Sequence, residues 1–516
     1  MQAATGSEEP LRKELPRRAG PPGSKVFRPW QCLAAAALLL AFSNGANTIS
    51  LAAWLAPVFL MRFVRKQSPK VGLPVAYVLL FAAFAFQFRG MVPIPGIGYY
   101  IFLAAWGIPS VLPYAMDRLL ARRLAGIERC LVFPAAWAAT EYGLSRSPYG
   151  SWGLTGYSQY GNLALLQLLS VTGIWGITFL IGWFAATCNW IWEEGFGSNR
   201  ARSAAWIFIS TMAAVILLGG ARLSLNPPSS PTVRVASLSG RERAGSIDPN
   251  VLGRVLYGTA TADDMNFFRI WSTAAGSDLL MRAEREMQVG AKIVFWSELN
   301  VFLTKDQEAA FIARGEELAA KHHAYLGMAV GVLNEKNTCP CENKLVLIRP
   351  DGVVAWQYSK ARPVPGGEAS LQAPGDGKLR ELDTPYGKLS SVICFDADFP
   401  KLLAQAGALR ADVMLDPSKD WRAIDPWHTQ MSSFRAIEQG FNLIRQTSEG
   451  LSAAYDYQGR RLAAMDYFQT ADYAMVSHVP TKGVRTIYSV LGDWFAWGCI
   501  VGLVLLTLRS FGKNGG

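Results

Sequence analysis

Charge is scarce in this chain: only 17% of its 516 residues are Asp, Glu, Lys or Arg, against about 25% in a typical soluble domain. Seven cysteines over that length are too few for a disulfide scaffold. Four histidines (His322, His323, His428, His478) leave no second Cys/His pair at zinc spacing to complete Cys339-Pro340-Cys341. No metal and no cofactor are expected. The net charge of +11 comes without a concentrated basic face, so no nucleic-acid partner is expected either. Internal repeats are absent. Apolar residues are abundant instead, at 51%, which excludes a disordered chain.

Those residues fall into stretches near the ~20 that cross a hydrocarbon core. Seven lie at about 29–46, 48–63, 72–89, 97–116, 127–144, 164–191 and 204–223, and an eighth at 488–508. Residues 227–484 between them carry charge throughout and short strand-like runs. The expected organisation is a basic segment over 1–28, a seven-span bundle over 29–226, an α/β domain over 227–484, and a last span with a tail over 485–516. A cleaved secretory signal at the start is the alternative, but six further spans follow and no small-x-small cleavage site is visible. Lys and Arg set the orientation. Six lie in 1–28; the inner loops hold Arg62, Arg65, Lys66, Lys70, Arg118, Arg122, Arg123, Arg129, Arg200 and Arg202, and the tail holds Arg509 and Lys513. The outer loops hold only Arg89 and Arg146. This pattern predicts that 227–484 lies on the outer face.

Within 227–484, strands are expected at 233–238, 292–296, 324–333, 344–348, 353–358, 390–393, 413–415 and 442–445, with helices at 282–289, 402–409 and 426–439. Pro350-Asp351-Gly352 signals a turn that pairs two of the strands. The pattern fits an α/β sandwich with a mixed sheet. The segment NPPSSPT at 226–232 reads as the linker into it.

Three reactive residues each follow a strand: Glu298 after KIVFW, Lys360 after VVAWQY and Cys394 after SSVI. Strand ends aim side chains rigidly into clefts. A cysteine attacks only as thiolate, so it needs a base or a cation nearby; Glu298 could take the proton and Lys360 could stabilise an oxyanion. By spacing alone, an inert buried cysteine and two surface charges remain the commoner arrangement.

The words around the three residues change that weight. WSE, then YSKARPVPGGE, then ICFDADFP, followed by RAIEQGFNLIRQTSEGLSAAYDYQGR, resemble the nitrilase (carbon–nitrogen hydrolase) superfamily. LAAWLAPVFLMRFVR, GYSQYGNLALLQLLSVTGIWGITFLI and RTIYSVLGDWFAW resemble the membrane segments of one of its branches, the apolipoprotein N-acyltransferases. The resemblance implies an αββα sandwich on an eight-span bundle in a bacterial inner membrane, with the catalytic domain facing the periplasm. It also implies ping-pong acyl transfer. Cys394 takes an acyl chain from a membrane phospholipid, and the amine of a diacylglyceryl-cysteine apolipoprotein accepts it. Glu298 is then the base, Lys360 the oxyanion stabiliser, and Glu368 a further glutamate that orients Lys360 or assists proton transfer. The chain departs from the family pattern at Ser297 (usually Pro), at Phe395-Asp396 (usually Tyr-Glu), and at Pro363, Gly366 and Gly367 in the loop before Glu368. These departures bear on donor and acceptor preference. The competing readings are a membrane-anchored amidase with water as acceptor, and a non-catalytic relic of the fold.

The other polar candidates read as structural. His428 is expected to be solvated or structural rather than half of a Cys–His dyad. Cys32, Cys130, Cys188 and Cys499 read as packing residues, and Glu141 in the fifth span as either functional or interfacial. Cys339 and Cys341 are free thiols or a strained disulfide. Residues 363–367 and 241–261 are the expected loops over the site.

Overall fold

The computed structural model describes residues 28–240, 247–334 and 340–512. The apolar stretches form α1 (Pro29–Ala41), α2 (Ser50–Lys66), α3 (Pro69–Gln87), α4 (Ile97–Ser110), α5 (Leu112–Leu120), α6 (Glu128–Leu144), α7 (Leu163–Leu166), α8 (Leu169–Thr172), α9 (Ile174–Glu194) and α10 (Asn199–Leu225). Five helical segments among the described residues are long and apolar enough to cross a membrane: α3, Ile97–Arg123, α9, α10 and the C-terminal Trp494–Gly512. α1, α2 and α6 are shorter, with 13, 17 and 17 residues. α1 makes about 20 Å of helix against a core of about 30 Å. The stretch at 164–191 is broken into α7, α8 and α9; Gly173, at φ 66°, separates α8 from α9, and a Cβ there would lie 2.5 Å from the Tyr488 ring.

Charges gather at one end of the bundle. Arg65 pairs with Asp117 at 2.7 Å, Arg62 with Glu193 at 3.6 Å, and Arg129 with Glu193. Arg122 donates to the Arg65 carbonyl at 3.0 Å. Arg509, at the far end of the last helix, reaches Glu128.

The α/β part has two sheets. Its strands are β1 (Thr232–Leu238), β2 (Ile293–Trp296), β3 (Phe302–Thr304), β4 (Tyr325–Leu333), β5 (Cys341–Ile348), β6 (Val354–Ser359), β7 (Glu381–Thr384), β8 (Gly387–Ser391), β9 (Val413–Lys419), β10 (Asn442–Ser448), β11 (Leu451–Tyr455), β12 (Arg461–Asp466) and β13 (Ala474–Pro480). One sheet runs β13-β1-β2-β4-β5-β6 with β3 beside β4, and the other runs β12-β11-β10-β9-β8-β7. Each sheet mixes parallel with antiparallel pairs. Alternate residues such as Val233, Val235, Ile293 and Phe295 from one sheet, and Val413, Leu415 and Ile444 from the other, fill the space between them. The outer faces are covered by helices. α11 (Pro249–Leu256) leads into α12 (Ala262–Gln288), which with α13 (Lys305–His322) packs on the first sheet; α14 (Pro400–Leu409) and α15 (Trp427–Gln439) pack on the second. The layers are therefore αββα. α16 (Ile487–Leu491) and α17 (Trp494–Gly512) return the chain to the bundle.

The two parts share one core. Phe88, Trp152, Tyr157 and Trp175 of the bundle pack with Ile424, Trp427 and Phe434 of the α/β part. Arg435 donates to Tyr157 Oη at 3.0 Å, the Ile174 amide to Glu438 at 2.9 Å, and Ser151 to the Asp398 carbonyl at 2.7 Å. Within the bundle, Glu141 is buried and accepts from the Thr155 amide at 2.9 Å and from Thr178 Oγ1 at 2.6 Å. It staples a turn to α9.

Candidate active site

The four expected site residues converge where β2, β6, β8 and β9 end. Glu298 is fully buried two residues beyond β2. Its Oε1 accepts from Lys360 Nζ at 2.8 Å and from Asn343 Nδ2 at 2.6 Å, and its Oε2 from the Lys419 amide at 3.0 Å. Burial raises its proton affinity; Lys360 opposes this and the neighbouring charge of Glu368 adds to it. Lys360 follows β6 and is 1% exposed. Burial favours its neutral form, but Glu298 and Glu368 outweigh that and keep it an ammonium. Glu368 starts a single 3₁₀ turn and accepts from Lys360 Nζ at 2.6 Å and from the Val364 amide at 3.0 Å. One buried cation thus bridges two carboxylates.

Cys394 begins a 3₁₀ turn (Cys394–Asp398) just past β8, in the left-handed region at φ 52°. A β-carbon is strained there. The conformation is held by its amide, which donates to Asp416 Oδ1 at 2.8 Å. The thiol points to the Lys419 carbonyl at 3.6 Å, so the Lys419 backbone meets Cys394 through its carbonyl and Glu298 through its amide. Burial pushes the thiol well above its ordinary pKa and Glu298 adds to that, while Lys360 and Arg445 pull it down. The sulfur thus sits in the buried field of one carboxylate and two cations.

The sequence departures have local partners. Ser297 shares a hydrogen bond with Ser239 at 3.2 Å. Asp396 is buried and accepts from Tyr358 Oη (2.7 Å), Arg362 N (2.8 Å), Ile393 N (3.1 Å) and Ala361 N (3.3 Å). It therefore ties the cysteine turn to the residues after Lys360. Burial pushes its carboxyl up to about 6, against the Tyr358 hydrogen bond and Lys360. Phe395 lines the pocket over Cys394.

That pocket has two kinds of wall. Cys394, Glu368, Lys419, Trp421 and His428 come from the α/β part; Met91, Val92, Phe102, Tyr149 and Trp152 come from the bundle. Trp421 donates to the Gly90 carbonyl at 2.8 Å, and a Cβ on Gly366 would lie 3.2 Å from the Pro93 carbonyl. The 363–367 loop therefore rests on the bundle beside the opening. Of the other expected loop, residues 241–246 lie outside the described residues, and 249–256 form α11.

His428 is not solvated. It is 3% exposed, with Nδ1 2.7 Å from Asp420 Oδ1 and Nε2 3.3 Å from Asp398 Oδ2. His322 faces Glu284 at 3.1 Å, and His323 ends α13 in a left-handed conformation. Cys32, Cys130 and Cys499 are buried free thiols and Cys188 is partly buried. Cys341 is buried at the start of β5, whereas Cys339 lies outside the described residues. Sequence reasoning singled out Asp396 only as a departure from the family pattern and missed Asn343, Asp416, Asp420 and Arg445. Charged residues inside the apolar strands VMLDPSK and NLIRQTS were the available signal.

Comparison with known proteins gives two family matches in chain order: the apolipoprotein N-acyltransferase N-terminal domain over residues 34–187 and carbon-nitrogen hydrolase over 260–479. An apolipoprotein N-acyltransferase of Geobacter metallireducens is 25% identical, over 92% of this chain and 94% of its own length. One from Rhodopseudomonas palustris is 27% identical over 69% and 68%. Apolipoprotein N-acyltransferase 2 of Treponema pallidum is 24% identical over 89% and 91%. Among solved structures, an amidase from Nesterenkonia sp. is 17% identical with a TM-score of 0.39, covering 49% of this chain and 92% of its own. A membrane-domain match followed by a hydrolase-domain match, in a chain aligned over most of its length with such relatives, means that this chain belongs to the apolipoprotein N-acyltransferase family of the nitrilase superfamily.

Proposed function

We propose that the protein moves a fatty acyl chain from a membrane phospholipid to the N-terminal amine of diacylglyceryl-cysteine lipoproteins, with Cys394 as nucleophile, Glu298 as base, Lys360 as oxyanion stabiliser and Glu368 as its orienting partner. The observation that carries this reading is the pocket over Cys394, walled half by the bundle and half by the α/β part. An acyl donor that never leaves the bilayer needs such a wall, since each CH₂ kept from water contributes about 0.8 kcal/mol.

In the first half-reaction the Cys394 proton passes to Glu298 as sulfur attacks the ester carbonyl. The oxyanion forms beside the Lys360 ammonium. Collapse breaks the ester C–O bond, the departing lysophospholipid takes the proton from Glu298, and a thioester remains. In the second half the lipoprotein amine attacks the thioester carbon and gives its proton to Glu298. The C–S bond breaks and the proton returns to sulfur. General acid–base help of this kind accounts for about 10²–10⁴ in rate.

The two ends of α17 support an outward-facing catalytic domain. The helix starts at Trp494 next to the α/β part and ends at Arg509, within the knot of arginines around Arg62, Arg65, Arg122 and Arg129. A basic end marks the cytoplasmic side, so the opposite end, with Cys394, faces outward, to the periplasm of a bacterial inner membrane. In this reading the chain crosses eight times, the shorter α1, α2 and α6 included. Segment 1–28 is then a cytoplasmic lead, 29–226 the bundle, 227–484 the catalytic domain and 485–516 the returning span and tail.

The test uses the full chain in detergent with isotope-labelled phospholipid, quenched and read by mass spectrometry. An acyl adduct on Cys394 that disappears on adding a diacylated lipopeptide, and never forms in Cys394→Ala, is expected. Undiminished transfer by Cys394→Ala, or cleavage of a soluble amide with the lipopeptide left unmodified, overturns the reading.

A further inference from the structure

Five charged side chains beneath Cys394 have no part in that scheme: Asp398 in the cysteine turn, Asp416 and Asp420 in and just after β9, His428 in α15 and Arg445 in β10, each at most 3% exposed. Arg445 is the hub. Its Nη1 lies 2.7 Å from Asp416 Oδ2; its Nη2 lies 3.1 Å from Asp420 Oδ1 and 4.0 Å from Cys394 Sγ. Its Nε donates to Thr429 Oγ1 at 3.1 Å. Nη2 is also 2.9 Å from His428 Nδ1. Asp420 Oδ1 lies within reach of both Nη2 and Nδ1, and Asp398 Oδ2 is 3.3 Å from Nε2, so the imidazole sits between two carboxylates and the guanidinium. Cys394, Asp420 and His428 offer ligand atoms within 4.8 Å of one another, but the Arg445 guanidinium stands among them, so the cluster supplies its own cation.

Charge balance shows what that cation could do. Lys360 is shared between Glu298 and Glu368. Once Glu298 has taken a proton, Glu368 still neutralises Lys360, and little positive charge remains for sulfur. When the thioester breaks, the C–S electron pair goes to Sγ, the new C–N bond forms, and the amine proton reaches sulfur only afterwards through Glu298. During that interval Arg445 Nη2 is within reach of the sulfur anion. We propose that Arg445 is a further catalytic residue, the cation that stabilises Cys394 sulfur as thiolate, and that His428 is a positioning residue that balances Asp420 and so leaves the Arg445 charge available to sulfur. The leaving-group role rests on the acyl-transfer reading; the thiolate role does not.

The groups facing His428 are Asp398, Asp420, Arg445, Cys394 and the uncharged Trp152 ring. Burial and Arg445 lower its proton affinity, but the two carboxylates outweigh them and carry it up to about 9. The arm is therefore intact at neutral pH and weakens as pH rises past about 9.

The test is the rate of Cys394 alkylation by iodoacetamide against pH, in full-length protein in detergent, with thermal melting to show that each variant is folded. His428→Gln is expected to slow alkylation at neutral pH by roughly tenfold, a rise of about one unit in thiol pKa. Arg445→Lys, which keeps the charge but not its reach, is expected to slow it as well. Asp398→Asn removes one carboxylate from the imidazolium, so the loss of the arm should begin at lower pH than in the wild type. Profiles that superimpose on wild type overturn the proposal, and Asp398→Asn alone decides it if the other two do not fold. An acyl adduct with unmoved alkylation profiles sinks this inference and spares the proposed function. Shifted profiles without any adduct do the reverse.

Discussion

Glu368→Gln separates the charge of that residue from its shape. The amide oxygen can still accept from the Val364 amide, as the carboxylate does at 3.0 Å, so the loop should stay in place. What disappears is a negative charge near Glu298. Two oxygens at 2.8 and 2.6 Å from the same Nζ are at most about 5.4 Å apart, where like charges repel by about 1 kcal/mol in water and about 3 kcal/mol at an effective dielectric of about 20. The Glu368 side chain is 24% exposed, so the lower part of that range applies, about one pKa unit. The sign follows from the base's role. A carboxylate of raised affinity is protonated, and useless as a base, below its raised pKa; removing a like charge lowers that pKa. The acid limb of kcat/KM should therefore move to lower pH by about one unit, while the plateau falls tenfold or more because Lys360 is held by one partner fewer. The assay is acyl transfer from a fluorescent phospholipid to a lipopeptide in mixed micelles across pH 4–8. An acid limb that stays put or moves upward, in a variant that melts like wild type, would refute the assignment of Glu298 as base with Glu368 beside it.

Two predictions concern the bundle and its joint with the catalytic part. Asp493 accepts from Trp175 Nε1 at 2.9 Å, from Tyr488 Oη at 2.7 Å and from Arg146 at 2.8 Å; Asp493→Ala strands two buried donors and should cost about 2–4 kcal/mol, read as a lower tryptophan-fluorescence melting temperature in detergent. A Cβ at Gly219 would lie 1.9 Å from the Ala164 carbonyl oxygen, whereas at Gly220 it would meet nothing within 4 Å. Gly219→Ala should therefore destabilise by about 1–3 kcal/mol through forced separation of α10 from α7, and Gly220→Ala should be neutral or stabilising by up to about 1 kcal/mol. The same sign at both sites would show that helix propensity, not the close approach, governs α10.

Much of the fold could be read along the chain because burial on both faces writes a continuous apolar run. β1, β2, β4 and β5 were placed within a few residues for that reason. β12 and β7 were not: each is an edge strand with most residues at least partly exposed, so no apolar run marks it. β13 alternates buried with more exposed positions and so carries no continuous apolar run either. In the bundle, hydropathy located 164–191 but not the break in it. A window average registers apolar character and cannot see Gly173 turning the chain under Tyr488.

The site divides along the same line between local and distant information. Glu298, Lys360 and Cys394 each carry a local mark, a reactive residue just past a strand. Glu368 has no such mark and came from the family resemblance. Asp416 and Arg445 look like interruptions of two apolar strands, yet their positions predict one another. A charge fixed at a buried strand position costs several kcal/mol unless an opposite charge meets it. β9 and β10 are parallel neighbours, and their register sets Arg445 directly beside Asp416. Two consecutive core strands, each with one charge in its buried run and of opposite sign, thus imply their own pairing and register. The pair then has a further use. Asp416 holds Arg445 with one oxygen and the Cys394 amide with the other, so the ion pair that makes the register unique also anchors the strained turn that presents the thiol.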